Sequence, residues 1–280
     1  MQWRGRQGSR NVEDRRRMGS SGAGGIGVVG MLAVLAFGYF FGIDISPLVQ
    51  QTSQTTTGEP RELTEEEQQM GEFAGVMLRE TETVFGEVVP AATNSAYVEP
   101  QMVLYSGGTQ SGCGGASAQM GPFYCPLDQK IYLDTDFFKV MDSRMGAGGD
   151  LAAAYVIAHE VGHHVQNQLG ILPKVTQARQ QSSQEDSNYL SVLTELQADC
   201  FAGMWARGSA RDLSITGEDI TEAMDAAAAV GDDALMESAG RAVVPDAFTH
   251  GSSADRQKWF MRGYEGGQLS SCDTFSEAGL

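Results

Sequence analysis

The chain has 280 residues, 41% of them hydrophobic and 20% charged, a balance that suits one globular domain with appendages. Its formal net charge is −17; Arg4, Arg6, Arg10, Arg15, Arg16 and Arg17 against Glu13 and Asp14 give residues 1–17 a charge of +4, so the other 263 carry −21. So acidic a body repels phosphate backbones, which excludes a nucleic-acid partner, and it keeps the domain soluble.

From Met18 to Ile43 no residue is charged, and Ile26–Ile43 is almost wholly apolar. Eighteen residues rise about 27 Å as a helix, and the Gly and Ala residues before Ile26 extend the reach. Arg15–Arg17 stand before this run and Asp44 after it, so the positive-inside rule leaves the N-terminus in the cytoplasm and exports the remainder of the chain. A cleaved signal peptide fits poorly, because Phe40-Phe41-Gly42-Ile43 lacks small residues at a cleavage site. A twin-arginine signal at Arg15–Arg17 is ill matched by the Gly/Ser stretch behind it, and polar flanks disfavour a buried core helix. The expectation is a basic cytoplasmic segment over 1–22 and a single-pass signal-anchor helix over 23–45, with the rest extracytoplasmic.

Residues 46–62 read as a polar, flexible linker, and the folded domain is expected over 63–280. Thr64 and Glu67 form a capping box, followed by Met70, Phe73, Ala74, Met77, Leu78 and Phe85 at helical spacing. Short strands are expected at 101–105 and 130–134, and helices at 150–168, 184–207, 217–230 and 252–264. Few strands among several helices make this α+β, mainly helical, with a short mixed or antiparallel sheet. The abundance of Gly and Ala points to small contacts between helices rather than a bulky aromatic core.

No two of the four cysteines form a C-x-x-C pair, which speaks against a zinc ribbon or a redox dithiol. Cys113 and Cys125 bracket a Gly-rich loop and make a natural staple, leaving Cys200 to pair with Cys272. Four free or buried thiols are the alternative; an even count in an exported domain favours two bridges.

His159-Glu160-Val161-Gly162-His163 lies within a strong helical run. The i, i+4 spacing puts both imidazoles on one face, where they can share one Zn²⁺. Glu160, rotated by about 100°, can act as general base on a zinc-activated water without ligating. Composition alone would yield this pattern about 0.004 times per chain. The metzincin continuation fails, since Gln166 and Leu169 stand where Gly and His would be. Glu195-Leu196-Gln197-Ala198-Asp199 supplies the other common solution: Glu195 as third ligand, and Asp199 one turn on as hydrogen-bond acceptor for a ligating imidazole. His164 points away from His163 and reads as a surface or core polar residue. His250 is a candidate second electrophile for the oxyanion of peptide hydrolysis, with Arg256 orienting or charging the same pocket. Lys130, Ile131, Tyr132 and Leu133 form a candidate edge strand for an extended substrate.

Met1-Gln-Trp-Arg-Gly-Arg, Asn11-Val-Glu-Asp-Arg-Arg16, the apolar run, the His159–His163 motif and Glu195…Asp199 together resemble the bacterial neutral zinc metallopeptidase family over nearly the whole chain. The resemblance implies a zincin fold of the gluzincin type. The site elements also resemble the CAAX prenyl and heat-shock protease family, where a late His and an Arg six positions on follow the E-x-x-x-D helix, as His250 and Arg256 do. That family's Pro after the His is Gly251 here. The reading is a membrane-anchored zinc metalloendopeptidase holding one Zn²⁺ per chain and acting on peptide or protein, without organic cofactor and with its oligomeric state open. The alternative is a catalytically silent zincin-like adaptor of the cell envelope.

Overall fold

The computed structural model describes residues 1–17, 61–117 and 120–280. The apolar span expected at 23–45 lies outside the described residues, as does the linker up to residue 60; among the described residues no helix is long and apolar enough to cross a membrane. The strands are β1 (Val12–Asp14), β2 (Gln101–Tyr105), β3 (Gly108–Ser111), β4 (Gly114–Ser117), β5 (Phe123–Cys125) and β6 (Lys130–Asp134). The helices are α1 (Glu65–Thr93), α2 (Asp136–Met145), α3 (Asp150–Gln168), α4 (Ile171–Gln180), α5 (Gln184–Ser209), α6 (Gly217–Ala229), α7 (Asp232–Ser238), α8 (Ser253–Gly266) and α9 (Thr274–Glu277). The result is mainly helical α+β with a small mixed sheet, and the four helices expected from the sequence stand within two residues of the observed bounds.

α1 begins as its sequence dictates. Thr64 Oγ1 accepts the Glu67 N–H, the Glu67 carboxylate accepts the Thr64 N–H, and Glu65–Glu67 sit at the positive end of the helix dipole. Its buried face, with Phe73, Met77, Leu78 and Phe85, lies on the core. The sheet runs β1-β2-β6-β5, with the first three strands parallel and β5 antiparallel to β6. β6 is therefore an inner strand: Lys130, Ile131 and Tyr132 pair on both sides, and the edge next to them is β5. The expectation of an edge strand at Lys130–Leu133 fails for this reason. A three-residue strand such as Phe123–Cys125 is too short for a period-two pattern to announce it.

α3 carries the His159 motif through the centre of the molecule. Every residue from Leu151 to Gly162 is buried, which is why this helix is apolar on all sides. α5 crosses it closely: a Cβ on Gly162 would stand 3.1 Å from the Ala198 Cα. α8 then lies against α5 with even less between them. A Cβ on Gly203 would meet the Phe260 carbonyl oxygen at 1.9 Å, and one on Gly263 the Cys200 carbonyl oxygen at 1.8 Å. The two disulfides are those expected, with no cysteine free: Cys113–Cys125 ties the β3–β4 hairpin to β5, and Cys200–Cys272 ties α5 to the chain beyond α8.

Residues 1–17 overturn the expectation of a segment standing apart from the domain. Trp3 is buried edge-on against Phe73, ring centroids 5.2 Å apart, and its Nε1 donates to Asp150 at 2.9 Å, the first residue of α3. Arg6 pairs with Glu80 at 2.8 Å, and Ser9 and Asn11 both donate to Glu82. β1 joins the sheet in register Val12↔Met102 to Asp14↔Leu104. Arg16 is buried, forked onto Asp14 and donating to the Glu67 carbonyl. Of the basic residues counted from the sequence as a cytoplasmic flank, Arg6, Arg15 and Arg16 are paired with acids of this strap and this domain.

Candidate metal and active site

The close crossing of α3 and α5 sets two histidines against one carboxylate. His159 Nε2 lies 3.2 Å from Glu195 Oε2, and His163 Nε2 lies 3.5 Å from Glu195 Oε1. One donor atom from each of the three falls within 4.8 Å of the others. The rings stand edge to face, centroids 4.7 Å apart.

Each imidazole is oriented from behind. His159 Nδ1–H donates to Asp199 Oδ1 at 2.8 Å, and His163 Nδ1–H to Gln166 Oε1 at 2.8 Å, so both rings present an Nε2 lone pair to the shared space. Gln166 is itself held, donating to the Thr194 carbonyl at 2.7 Å and to Gln197 at 3.0 Å; Gln197 donates to the Cys272 carbonyl at 2.9 Å. Asp199 is fully buried and accepts from Tyr155 Oη, Arg256 Nε (2.8 Å) and Arg256 Nη2 (2.9 Å). Arg256 Nη1 also donates to the Val230 carbonyl at 3.1 Å. A carboxylate so thoroughly donated to can be buried without an unmet lone pair.

This corrects the expectation for Arg256. Its guanidinium lies behind His159, forked onto Asp199, with Nη2 also 3.2 Å from Tyr155 Oη and 3.4 Å from His159 Nδ1. Asp199 stands where an acceptor for His159 was expected. His164 resolves to the core reading: Nε2–H donates to the Val98 carbonyl at 2.7 Å, and Tyr97 and Tyr124 meet its ring edge-on.

The electrostatics favour a cation between the three donors. Burial works against a charged His159, yet Asp199 and Glu195 outweigh it and lift the imidazole to about 10. For Glu195 too burial opposes the charge, but His163 and the imidazole hydrogen bonds hold it well below the usual carboxylate range. A site that binds positive charge this firmly, with two oriented imidazole nitrogens and a carboxylate, matches the donor set of catalytic zinc. Glu160 is buried beside the cluster and joins none of its bonds. Burial raises its pKa, against the pull of both histidines and, more weakly, of the Tyr124 backbone on β5.

His250 sits on the turn between α7 and α8. Asp232, the first residue of α7, accepts the backbone N–H groups of Thr249, His250 and Gly251 at 2.7, 2.6 and 2.9 Å, and His250 Nδ1 at 3.2 Å. Gly251 adopts φ +96° and abuts Val192 and Leu196 of α5, which anchors the turn beside Glu195. Burial opposes protonation of His250, but Asp232 and the Glu195 charge raise its pKa on balance.

Sequence reasoning passed over Tyr155, Gln166, Gln197, Tyr124 and Asp232. Two of these carried a signal: Tyr155 is four residues before His159 and Gln166 three after His163, on the same face of the helix. The other three come from elements whose approach no local pattern records.

A family profile described as "Putative neutral zinc metallopeptidase" matches residues 1–275. The uncharacterized protein YpfJ of Escherichia coli (strain K12) is 42% identical over 288 residues, covering 99% of this chain and 100% of the relative. The uncharacterized protein Rv2575 of Mycobacterium tuberculosis (strain ATCC 25618 / H37Rv) is 47% identical over 195 residues, covering 66% of this chain and 65% of that one. No solved structure matches the chain.

Proposed function

Since this chain belongs to the neutral zinc metallopeptidase family, we propose that it is a zinc-dependent endopeptidase with His159, His163 and Glu195 as the metal ligands. The observation that carries this reading is the convergence of those three donors, each imidazole fixed in the tautomer that frees Nε2. Zinc held there would acidify water and polarise a peptide carbonyl. Glu160, raised by burial and free of the ligand set, takes the proton of the attacking water and passes it to the leaving amine. His250, held by Asp232, donates to the oxyanion. An extended substrate pairs with β5, the sheet's edge beside Glu160, in place of the inner strand β6. The two disulfides support an oxidising compartment for the domain.

The test is metal dependence of cleavage by the full purified chain. It should hold about one zinc, cut an unfolded protein, lose activity to a chelator and regain it with added zinc. Metal-free protein that cuts at the same rate would remove the reading. His250→Ala should keep its zinc and its KM while kcat falls about 10²–10³-fold. A raised KM at unchanged kcat would instead make His250 a substrate contact.

A further inference from the structure

The two ends of the stretch outside the described residues meet. The Arg61 N–H donates to the Arg17 carbonyl at 3.2 Å, so the described residues that bound positions 18–60 stand side by side on the domain. A single membrane crossing would separate those ends by a hydrocarbon core of about 30 Å. The residues before Met18 are tied in at many places: Trp3 in the core, Arg6 on Glu80, β1 in the sheet, Arg16 beneath α1. Pulling this strap to the opposite face would strand Glu80 and Glu82, both buried, without Arg6, Ser9 and Asn11. It would also leave Phe73 without Trp3 and β2 as a raw edge. Two full crossings are excluded by length, since the apolar run Ile26–Ile43 has 18 residues and two helical spans need about 40.

We propose that residues 1–17 and the catalytic domain lie on the same face of the membrane, so that no single membrane crossing stands between them. What the strap supplies is a support for the start of α3, through Trp3 and Asp150.

Gly8 and Gly75 offer a direct test. A Cβ on Gly8 would stand 3.6 Å from the Gly75 Cα, and one on Gly75 3.8 Å from the Gly8 Cα, with no clash at either site. Side chains at the two positions would touch, which puts thiols placed there within reach of each other. In full-length Gly8→Cys/Gly75→Cys in native membranes, treated with a permeant oxidant and then alkylated, mass spectrometry should find the two introduced thiols joined to each other within one chain. Absence of this link, with Cys113–Cys125 and Cys200–Cys272 intact, would overturn the proposal. Should the variant fail to form the two native links, the second arm decides. The wild-type chain carries one epitope between Ser20 and Ser21 and another after Leu280, and protease is added to sealed spheroplasts and to inverted vesicles. Loss of both epitopes from the same side supports the shared face; loss from opposite sides refutes it.

Discussion

Glu160→Gln should lower kcat by about 10²–10⁴-fold while the protein keeps its zinc. The amide has nearly the shape of the carboxylate, so the packing around it stays in place. None of the three donor atoms belongs to Glu160, so metal content should remain near one per chain. What the amide cannot do is take a proton from water and return it to the leaving amine. Metal analysis beside a single-turnover cleavage assay separates the two roles. A variant that cuts as fast as wild type would show that the measured activity has another base, or another enzyme, behind it. Loss of zinc along with activity would place Glu160 in the ligand set.

Arg256→Met should destabilise the fold by about 3–5 kcal/mol, because it removes one partner of a fully buried ion pair and leaves the Asp199 charge with only Tyr155 and His159 for company. Asp199→Asn keeps the volume but gives His159 a weaker acceptor, and zinc affinity should fall about 10–100-fold. Denaturant unfolding of the metal-free protein reads the first effect and chelator competition the second. The two substitutions act on one network, so the double variant should cost less than the sum of the singles. If Arg256→Met left stability and zinc binding untouched but abolished cleavage, the guanidinium would face substrate after all. That outcome would return Arg256 to the place its spacing from His250 first suggested.

That spacing shows where sequence reading succeeds and where it stops. Arg256 stands six positions after His250, but the first is inside α8 and the second on a turn, so the guanidinium points back into the core. The zinc helix and its partner were legible because their chemistry is local: i, i+4 on α3, and Glu195 with Asp199 one turn apart on α5. The Cys pairs were legible because one was a short loop and the other its remainder. The sheet was harder. β1 is three residues, Val-Glu-Asp, whose partner in β2 lies 90 positions away, and an Arg-rich context read as a membrane flank. Charge counted along a chain carries no record of which acid each Arg will meet. For the same reason β6 read as an edge, since the strand that covers it is too brief to show a period.

The glycine contacts between α5 and α8 make catalysis vulnerable at a distance. Gly203 lies one turn beyond Asp199, and Gly263 two turns beyond Arg256, both away from the metal donors. Each faces the main chain of the other helix rather than a side chain, so trimming a neighbour cannot make room for a methyl group. The helices would have to part, and parting them separates the Arg256 fork from Asp199. Compensation between the two positions is closed off, because enlarging either one is a fault that no change at the other repairs. Over evolutionary drift they should behave as two separate vetoes on one geometry, and inactive variants arising there would carry a complete set of catalytic side chains.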